Sequence, residues 1–285
     1  MFKNLIRKGK HFYTSYNFRK ILKESRNNYG NYNYEHPLLF VAGLPKSGTS
    51  WLENMLSEYP GYKKNMLPMA TKFEQRNNGS HFLELEKEWL RQLEGSLTVL
   101  KLHNWGSENN VNVLKDLKIP YVVLFRDLRD VAVSHYFYVR NTWHHPEYDD
   151  YKDLDIEGGI KHFARTLLPA FTKWIYSWKQ NADSELGLII RYEDMKVDTF
   201  KVFSKVVDHY NLPSGEKTLK TIIKKYSFEN QSGGRSRGEE NQSSFYRKGV
   251  SGDWKNHFTD EITKLFKEKV GQLLIDVGYE EDFKW

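Results

Sequence analysis

Four short apolar runs punctuate the chain, at positions 38–42, 97–102, 121–125 and 188–190. Runs of this length are what strands buried on both faces of a sheet look like. Between and after them, apolar residues recur at helical spacing, which predicts helices near 49–57, 128–140, 159–180, 198–210, 215–225 and 260–276. Strands alternating with helices predict a three-layer α/β fold, a central parallel sheet with helices on both faces. Such sheets bind ligands beyond the carboxyl ends of their strands, so the residues just after each run are the first candidates for chemistry. The stretch NQSGGRSRGEENQSS, residues 230–244, is rich in Gly, Ser and charge and predicts a mobile loop, either a surface excursion or a lid over a site. No internal repeat or long low-complexity tract interrupts the pattern.

Composition narrows the picture. The 285 residues suffice for one substantial α/β domain. There is no cysteine, which excludes disulfides and thiolate chemistry and fits a reducing compartment. No apolar run approaches the roughly 20 residues that span a bilayer, and the N-terminus lacks an uninterrupted apolar signal segment. The expectation is a soluble, cytoplasmic protein. The net charge of +6 is unevenly spread: Lys3, Arg7, Lys8, Lys10, Arg19, Lys20, Lys23 and Arg26 face only Glu24 within residues 1–30, which makes that segment +7 and the rest −1. The domain reading is therefore a basic arm, residues 1–35, ahead of a single domain, residues 36–285. In the arm Phe2, Leu5, Ile6, Phe12, Tyr13 and Tyr16 recur at near-helical spacing. The plainer reading is an extension packed on the body. The other is a basic amphipathic helix making peripheral membrane contact. The −1 body argues against nucleic acid as a partner, since phosphate contacts supply most non-specific affinity.

The stretch LLFVAGLPKSGTSWLENML carries the first chemical signal. An apolar run ends in glycine, a small polar loop follows, and a helix begins. Gly43 and Gly48 have the spacing of an ATP-type phosphate loop, but the second glycine is followed by Thr49 and the lysine, Lys46, comes two residues earlier. The backbone logic of an anion cradle at a helix start survives. Ser47, Thr49 and Ser50 add hydroxyls, and Trp51 offers an indole for stacking on a purine.

PKSGTSW, residues 45–51, resembles the 5′-phosphosulfate loop of the cytosolic-type sulfotransferases, which take their sulfuryl group from 3′-phosphoadenosine-5′-phosphosulfate (PAPS) and release the bisphosphate PAP. Three more segments share the resemblance in the same order. LKLH ends a run as that family's catalytic lysine–x–histidine does, with Lys101 and His103. VVLFRDLRDVAVSHYFY is similar to its 3′-phosphate motif, with Arg126 after the strand and Ser134 eight residues on. YRKGVSGDWKNHF is similar to its RKGxxGDWK signature, with Arg247, Lys248 and Gly249. Smaller echoes are RYEDMK, where the resemblance places Tyr192 near adenine, and YSFEN, where Ser227 would bond the base and Phe228 pack on it.

The resemblance implies sulfuryl transfer from PAPS to a hydroxyl or amine acceptor through a P-loop-like phosphosulfate loop. In that reading Lys46 stabilises the departing PAP, Lys101 faces the sulfuryl oxygens, and His103 is the general base. Ser134 touches the 3′-phosphate and restrains Lys46 until the acceptor binds. No metal is required. A P-loop-type nucleotide kinase or a nucleotide-binding protein is the competing reading, against which the displaced lysine weighs. Some positions depart from the family. Ser50 replaces a threonine; Asp127 replaces a common asparagine, and its charge would weaken binding if it faced the phosphate; NWGSE follows His103; and Lys255, Thr259, Asp260 and Lys264 keep only half of the family's dimer segment, leaving the oligomeric state open. Trp105, Phe137, Tyr138, Trp143 and Tyr148 are candidate aromatic walls for a small-molecule or lipid-like hydroxyl acceptor, or equally core or lid residues.

Overall fold

A computed structural model describes residues 2–77 and 80–285, with side chains from Thr14 onward apart from Gln75. The strands are β1 (Leu38–Gly43), β2 (Lys63–Asn65), β3 (Thr98–Leu102), β4 (Tyr121–Phe125) and β5 (Gly187–Arg191). The helices begin with α1 (Phe2–Tyr29), α2 (Thr49–Leu56), α3 (Pro68–Arg76), α4 (Lys87–Arg91) and α5 (Glu108–Asp116). Next come α6 (Leu128–Arg140), α7 (Tyr148–Tyr151), α8 (Ile156–Thr166), α9 (Leu168–Asn181), α10 (Tyr192–Val197) and α11 (Thr199–His209). The last three are α12 (Glu216–Lys225), α13 (Phe228–Ser232) and α14 (Asp260–Asp276), with a 3₁₀ turn, Asp253–Asn256, before α14.

The strands make one parallel sheet in the order β2-β3-β1-β4-β5, flanked by helices. This is the fold class the apolar runs predict. All four runs are strands; the fifth, β2, is the edge segment KKN, whose polarity gives no apolar signal. The predicted helix at 159–180 is instead two, α8 and α9, divided next to Pro169. Proline lacks the N–H a helix interior needs and clashes with the preceding turn.

The chain divides into two units, the first ending at Phe125 and including Ser177–Ile223, the second made of Arg126–Tyr176 and Lys224–Trp285. The first contains the sheet. Leu39, Phe40, Val41 and Ala42 of β1 are fully buried, and Tyr210 after α11 donates its hydroxyl to the Phe40 carbonyl at 2.5 Å. Helix α1 packs on α3 and β2; its Thr14, Phe18, Leu22 and Ser25 are buried, and Ser25 donates to the Leu97 carbonyl at 2.5 Å. Phe2, Leu5, Ile6, Phe12 and Tyr13, the rest of the arm's predicted apolar set apart from the exposed Tyr16, lie outside the residues whose side chains are described.

In the second unit α6 packs against α7, α8 and the 3₁₀ turn, and α8 against α14. Its core includes Tyr136, Val139 and Tyr151, with Phe137, Tyr138 and Ile156 packed around them. Asp127 caps α6, accepting from the Arg129 backbone at 2.9 Å, and Thr259 caps α14 in the same way.

Candidate active site

The first unit gathers one set of the candidate residues at the carboxyl ends of β1 and β3. After Gly43 the chain turns through the PKSG loop into α2. The Leu44 N–H donates to the Leu124 carbonyl at 2.8 Å, fastening the loop to β4 before the helix begins. Lys46 (φ 64°) and Gly48 (φ 79°) both adopt the left-handed conformation. For a lysine this costs about 1–3 kcal/mol, strain of the kind that collects at ligand-holding turns. Left-handed residues turn neighbouring N–H groups into a concavity, and the first N–H groups of α2 have no carbonyl one turn back to bond.

A Cβ on Gly48 would lie 2.7 Å from a ring carbon of Tyr192, so that tyrosine, at the start of α10, is pressed against the loop. Trp51 meets the same ring edge-on, centroids 6.3 Å apart. Ser47 Oγ and Trp51 Nε1 are buried and have no hydrogen-bond partner among the described residues. Each such group costs about 1–3 kcal/mol until something bonds it. The site therefore contains polar atoms in need of a ligand, around a cradle suited to an anion.

Parallel pairing sets Lys101 of β3 beside Val41 of β1. Its ammonium lies 3.3 Å from Ser50 Oγ and 3.5 Å from Glu53 Oε2, both on α2. His103 follows at the end of β3, its Nδ1 2.5 Å from the Gly43 carbonyl. A carbonyl can only accept, so Nδ1 carries the hydrogen and Nε2 carries the lone pair. Burial above all, then the charge of Lys101, the neighbouring His81 and Lys46, push the His103 pKa down to about 3, against the opposing pull of the Gly43 bond. The imidazole is neutral and its basic nitrogen is defined.

His81 and Glu53 are the side chains here that motif reading passed over. The His81 ring stands 5.6 Å from that of His103, at a steep angle. It comes from a segment clasped to the one after His103. The Trp105 N–H donates to the His81 carbonyl at 3.1 Å, Trp105 Nε1 to Glu84 at 2.8 Å, and Asn110 Nδ2 to the Leu83 and Trp105 carbonyls at 2.8 Å each. Phe82 and Trp105 meet edge to face at 5.0 Å. Nothing local in GSHFLEL marks its histidine; only the pairing of distant segments brings it to the site.

The second unit gathers the other set. Arg126, directly after β4, is buried and donates to Asp130 Oδ2 at 3.1 Å and to the Val250 carbonyl at 3.0 Å. Asp130 also accepts from the backbone of Gly252 (2.7 Å) and Trp254 (3.0 Å), tying α6 to the RKGVSGDW segment. Ser134 lies in mid-helix on α6, half-buried. Asp127 does not offer its charge to a ligand: it is buried and grips Arg129, at 2.6 Å from Nη2, so the weakening expected from it has no structural basis.

Arg247 and Lys248 share one buried carboxylate, Asp253, with Lys248 Nζ at 2.6 Å and Arg247 Nη2 on the other oxygen. Burial would raise the Asp253 pKa, but His257, Lys248, Arg247 and Asn256 together outweigh it and hold the carboxylate well below its usual range. Gly249 (φ 65°) lies flat on Phe228, since a Cβ there would be 2.4 Å from that ring. Ser227 caps α13 by accepting from the Asn230 N–H at 3.3 Å, which leaves its own hydrogen for another acceptor. Of the candidate aromatic walls, Phe137 lies beneath the Arg247 guanidinium at 4.5 Å, and Trp143 is exposed.

One set of residues thus offers an anion cradle, two ammonium groups and a base. The other offers guanidinium and ammonium groups, the chemistry of a phosphate grip. Comparison with known proteins matches residues 36–278 to the family model of the sulfotransferase domain. The chain is 29% identical over 254 residues to sulfotransferase 1E1 of Homo sapiens, covering 83% of each protein. It is 29% identical over 260 residues to flavonol 3-sulfotransferase of Flaveria bidentis, covering 82% of this chain and 81% of that one. Among solved structures it resembles mouse sulfotransferase SULT7A1 complexed with PAP, at TM-score 0.63 and 19% identity over 90% of this chain and 92% of that one. It also resembles retinol dehydratase in complex with androsterone and PAP, at TM-score 0.60 and 19% identity over 90% and 86%. At such identity the two structures speak for a shared fold.

Proposed function

The chain belongs to the sulfotransferase domain family, and from that premise we propose how its side chains divide the work of a PAPS-dependent sulfotransferase. PAPS supplies an activated sulfuryl group, and PAP is what remains after transfer. We assign the 5′ end of the donor to the loop residues Lys46, Ser47, Gly48, Thr49 and Ser50, whose orphaned Ser47 hydroxyl and concave backbone suit an oxyanion. The 3′-phosphate goes to Arg126, Ser134, Arg247, Lys248 and Gly249. The adenine goes to Trp51, Tyr192, Ser227 and Phe228.

In an in-line transfer the acceptor oxygen bonds to sulfur as the bond from sulfur to the bridging oxygen breaks. His103 Nε2 takes the proton of the acceptor hydroxyl. Lys46 neutralises the charge left on the bridging oxygen, and Lys101, held by Ser50 and Glu53, faces the sulfuryl oxygens. Bonding at sulfur is loose in such reactions, so position and charge carry the rate. The observation that carries this reading is the His103–Gly43 hydrogen bond, which fixes a neutral base with a defined lone pair one residue beyond β3.

Variants at the two sets of residues test the division. His103→Ala should lower turnover by about 100-fold or more while leaving PAP affinity within twofold. Arg126→Ala should weaken PAP binding by about tenfold or more. Full activity in His103→Ala would remove the base assignment.

The acceptor is a small hydroxyl compound in this reading, as the name of the flavonol relative states for that protein. His81, Phe82 and Trp105 offer it an aromatic wall beside His103. The arm contributes a basic outer surface: with Thr14, Phe18, Leu22 and Ser25 buried, Arg19, Lys20 and Lys23 face outward beside the exposed Tyr16. That surface suits peripheral contact with anionic lipid, and so a lipid-like acceptor.

A further inference from the structure

Arg235 lies in the stretch 230–244, which the sequence reads as a mobile loop, either a surface excursion or a lid over a site. From 233 to 243 every residue is exposed except Arg235. Its guanidinium is the hub of the loop. Nε donates to the Ser232 carbonyl at 3.4 Å, Nη1 to the carbonyls of Glu239 at 2.9 Å and Arg247 at 2.8 Å, and Nη2 to the Tyr246 carbonyl at 2.5 Å and Ser244 Oγ at 3.2 Å. The loop bonds back to the same segment twice more, Gly238 N–H to the Lys248 carbonyl and Asn241 N–H to the Arg247 carbonyl, each at 2.9 Å. Below the guanidinium, at 5.5 Å, is the ring of Phe228, which also packs on Gly249.

Three consecutive carbonyls, those of Tyr246, Arg247 and Lys248, are therefore taken up from the loop side. In a trans peptide the next residue's N–H points opposite to the carbonyl. The N–H groups of Arg247, Lys248 and Gly249 are turned away from the donors that hold those carbonyls. Gly249, left-handed, continues a turn of the kind that makes anion-binding concavities. Five donors in a planar fork can hold this many carbonyls at once; a lysine ammonium, a point charge on a flexible stem, cannot.

We propose that Arg235 is the positioning residue of the 3′-phosphate grip, fixing the backbone of Arg247–Gly249 so that the enzyme distinguishes a 3′-phosphorylated donor from an unphosphorylated one. The proposal rests on the donor-site assignment made above. It makes the loop a built part of nucleotide recognition, although Arg235 itself touches no nucleotide.

The test is calorimetric titration of the full chain with PAP and, separately, with adenosine 5′-phosphate, which lacks the 3′-phosphate. Wild type should prefer PAP. In Arg235→Lys that preference should fall by about tenfold or more, through loss of PAP affinity, with adenosine 5′-phosphate affinity within twofold. Loss of folded protein alone would weaken both ligands equally and leave the ratio intact, so an intact ratio overturns the proposal. Arg247→Ala should show the same loss, and the double variant should lose little more than either single one; additive losses would contradict action through Arg247–Gly249. Where the lysine variant does not fold, Arg235→Gln, which keeps a donor for one carbonyl, is read by the same ratio. A wild type that binds neither ligand sinks the donor-site assignment and this proposal together. A wild type that prefers PAP, with variants that keep the preference, sinks only this proposal.

Discussion

At the residue scale, the pH behaviour of His103 separates the account from a generic buried histidine. Its pKa of about 3 belongs to the free enzyme, where burial and then the charges of Lys101 and Lys46, with His81 between them in weight, oppose protonation. In the proposed assignment the anionic donor binds beside Lys46 and Lys101, which offsets both ammonium charges and moves the pKa upward. The profile of kcat/KM, which reports the free enzyme, should show no acid limb from this group between pH 8 and 5, while the limb in kcat should lie at higher pH than that in kcat/KM. Coincident limbs would contradict it.

Stability has a defined sign too. The folded pKa lies below the unfolded value of 6.5, so the unfolded chain binds the extra proton first. The contribution of this histidine is complete above pH 6.5 and is lost as pH falls toward 3. Denaturant melts of wild type and His103→Gln should therefore converge as the pH is lowered through that window. Lys46, Lys101, His103 and Arg126 were legible in the sequence because each sits in a short motif tied to a strand end. His81 and Glu53 were not, because their relevance depends on which distant segment or helix face folds beside β3.

At the element scale, short turns carry the load. Gly48 is left-handed with Tyr192 packed where a Cβ would go, so Gly48→Ala should cost about 1–2 kcal/mol from backbone conformation alone and also weaken PAP binding. Asp130 joins α6 to the RKG segment through Arg126 and two backbone N–H groups while fully buried. Removing one partner from such a cluster leaves the others unpaired, so Asp130→Ala should lose about 3–5 kcal/mol in urea unfolding. A loss below 1 kcal/mol would mean these bonds are dispensable. The apolar runs announced four strands, but not β2, which has no apolar residue, nor the interruption between α8 and α9, which Pro169 enforces despite a continuous apolar pattern. The backbone bonding of the 230–244 stretch was not legible, because polar composition gives no sign of it, and there Arg235 supplies the bonds that tie the loop to residues 246 and 247.

At the scale of the whole molecule, the basic surface of the arm and the proposed nucleotide grip are carried by different residues. The basic outer surface of α1 should bring the protein to anionic vesicles in a salt-sensitive way. Replacing Arg19, Lys20 and Lys23 by serine tests this better than deleting residues 1–30, because deletion also strips Thr14, Phe18, Leu22 and Ser25 from the packed face. Unchanged vesicle binding in the serine variant would remove the membrane role and leave the donor chemistry untouched. Whether the chain takes PAPS as its donor is decided by titrating the purified protein with PAP, without metal, beside a matched titration with ATP and magnesium. PAP should bind saturably, and ATP with no comparable strength. Binding of ATP with no response to PAP would contradict the donor assignment.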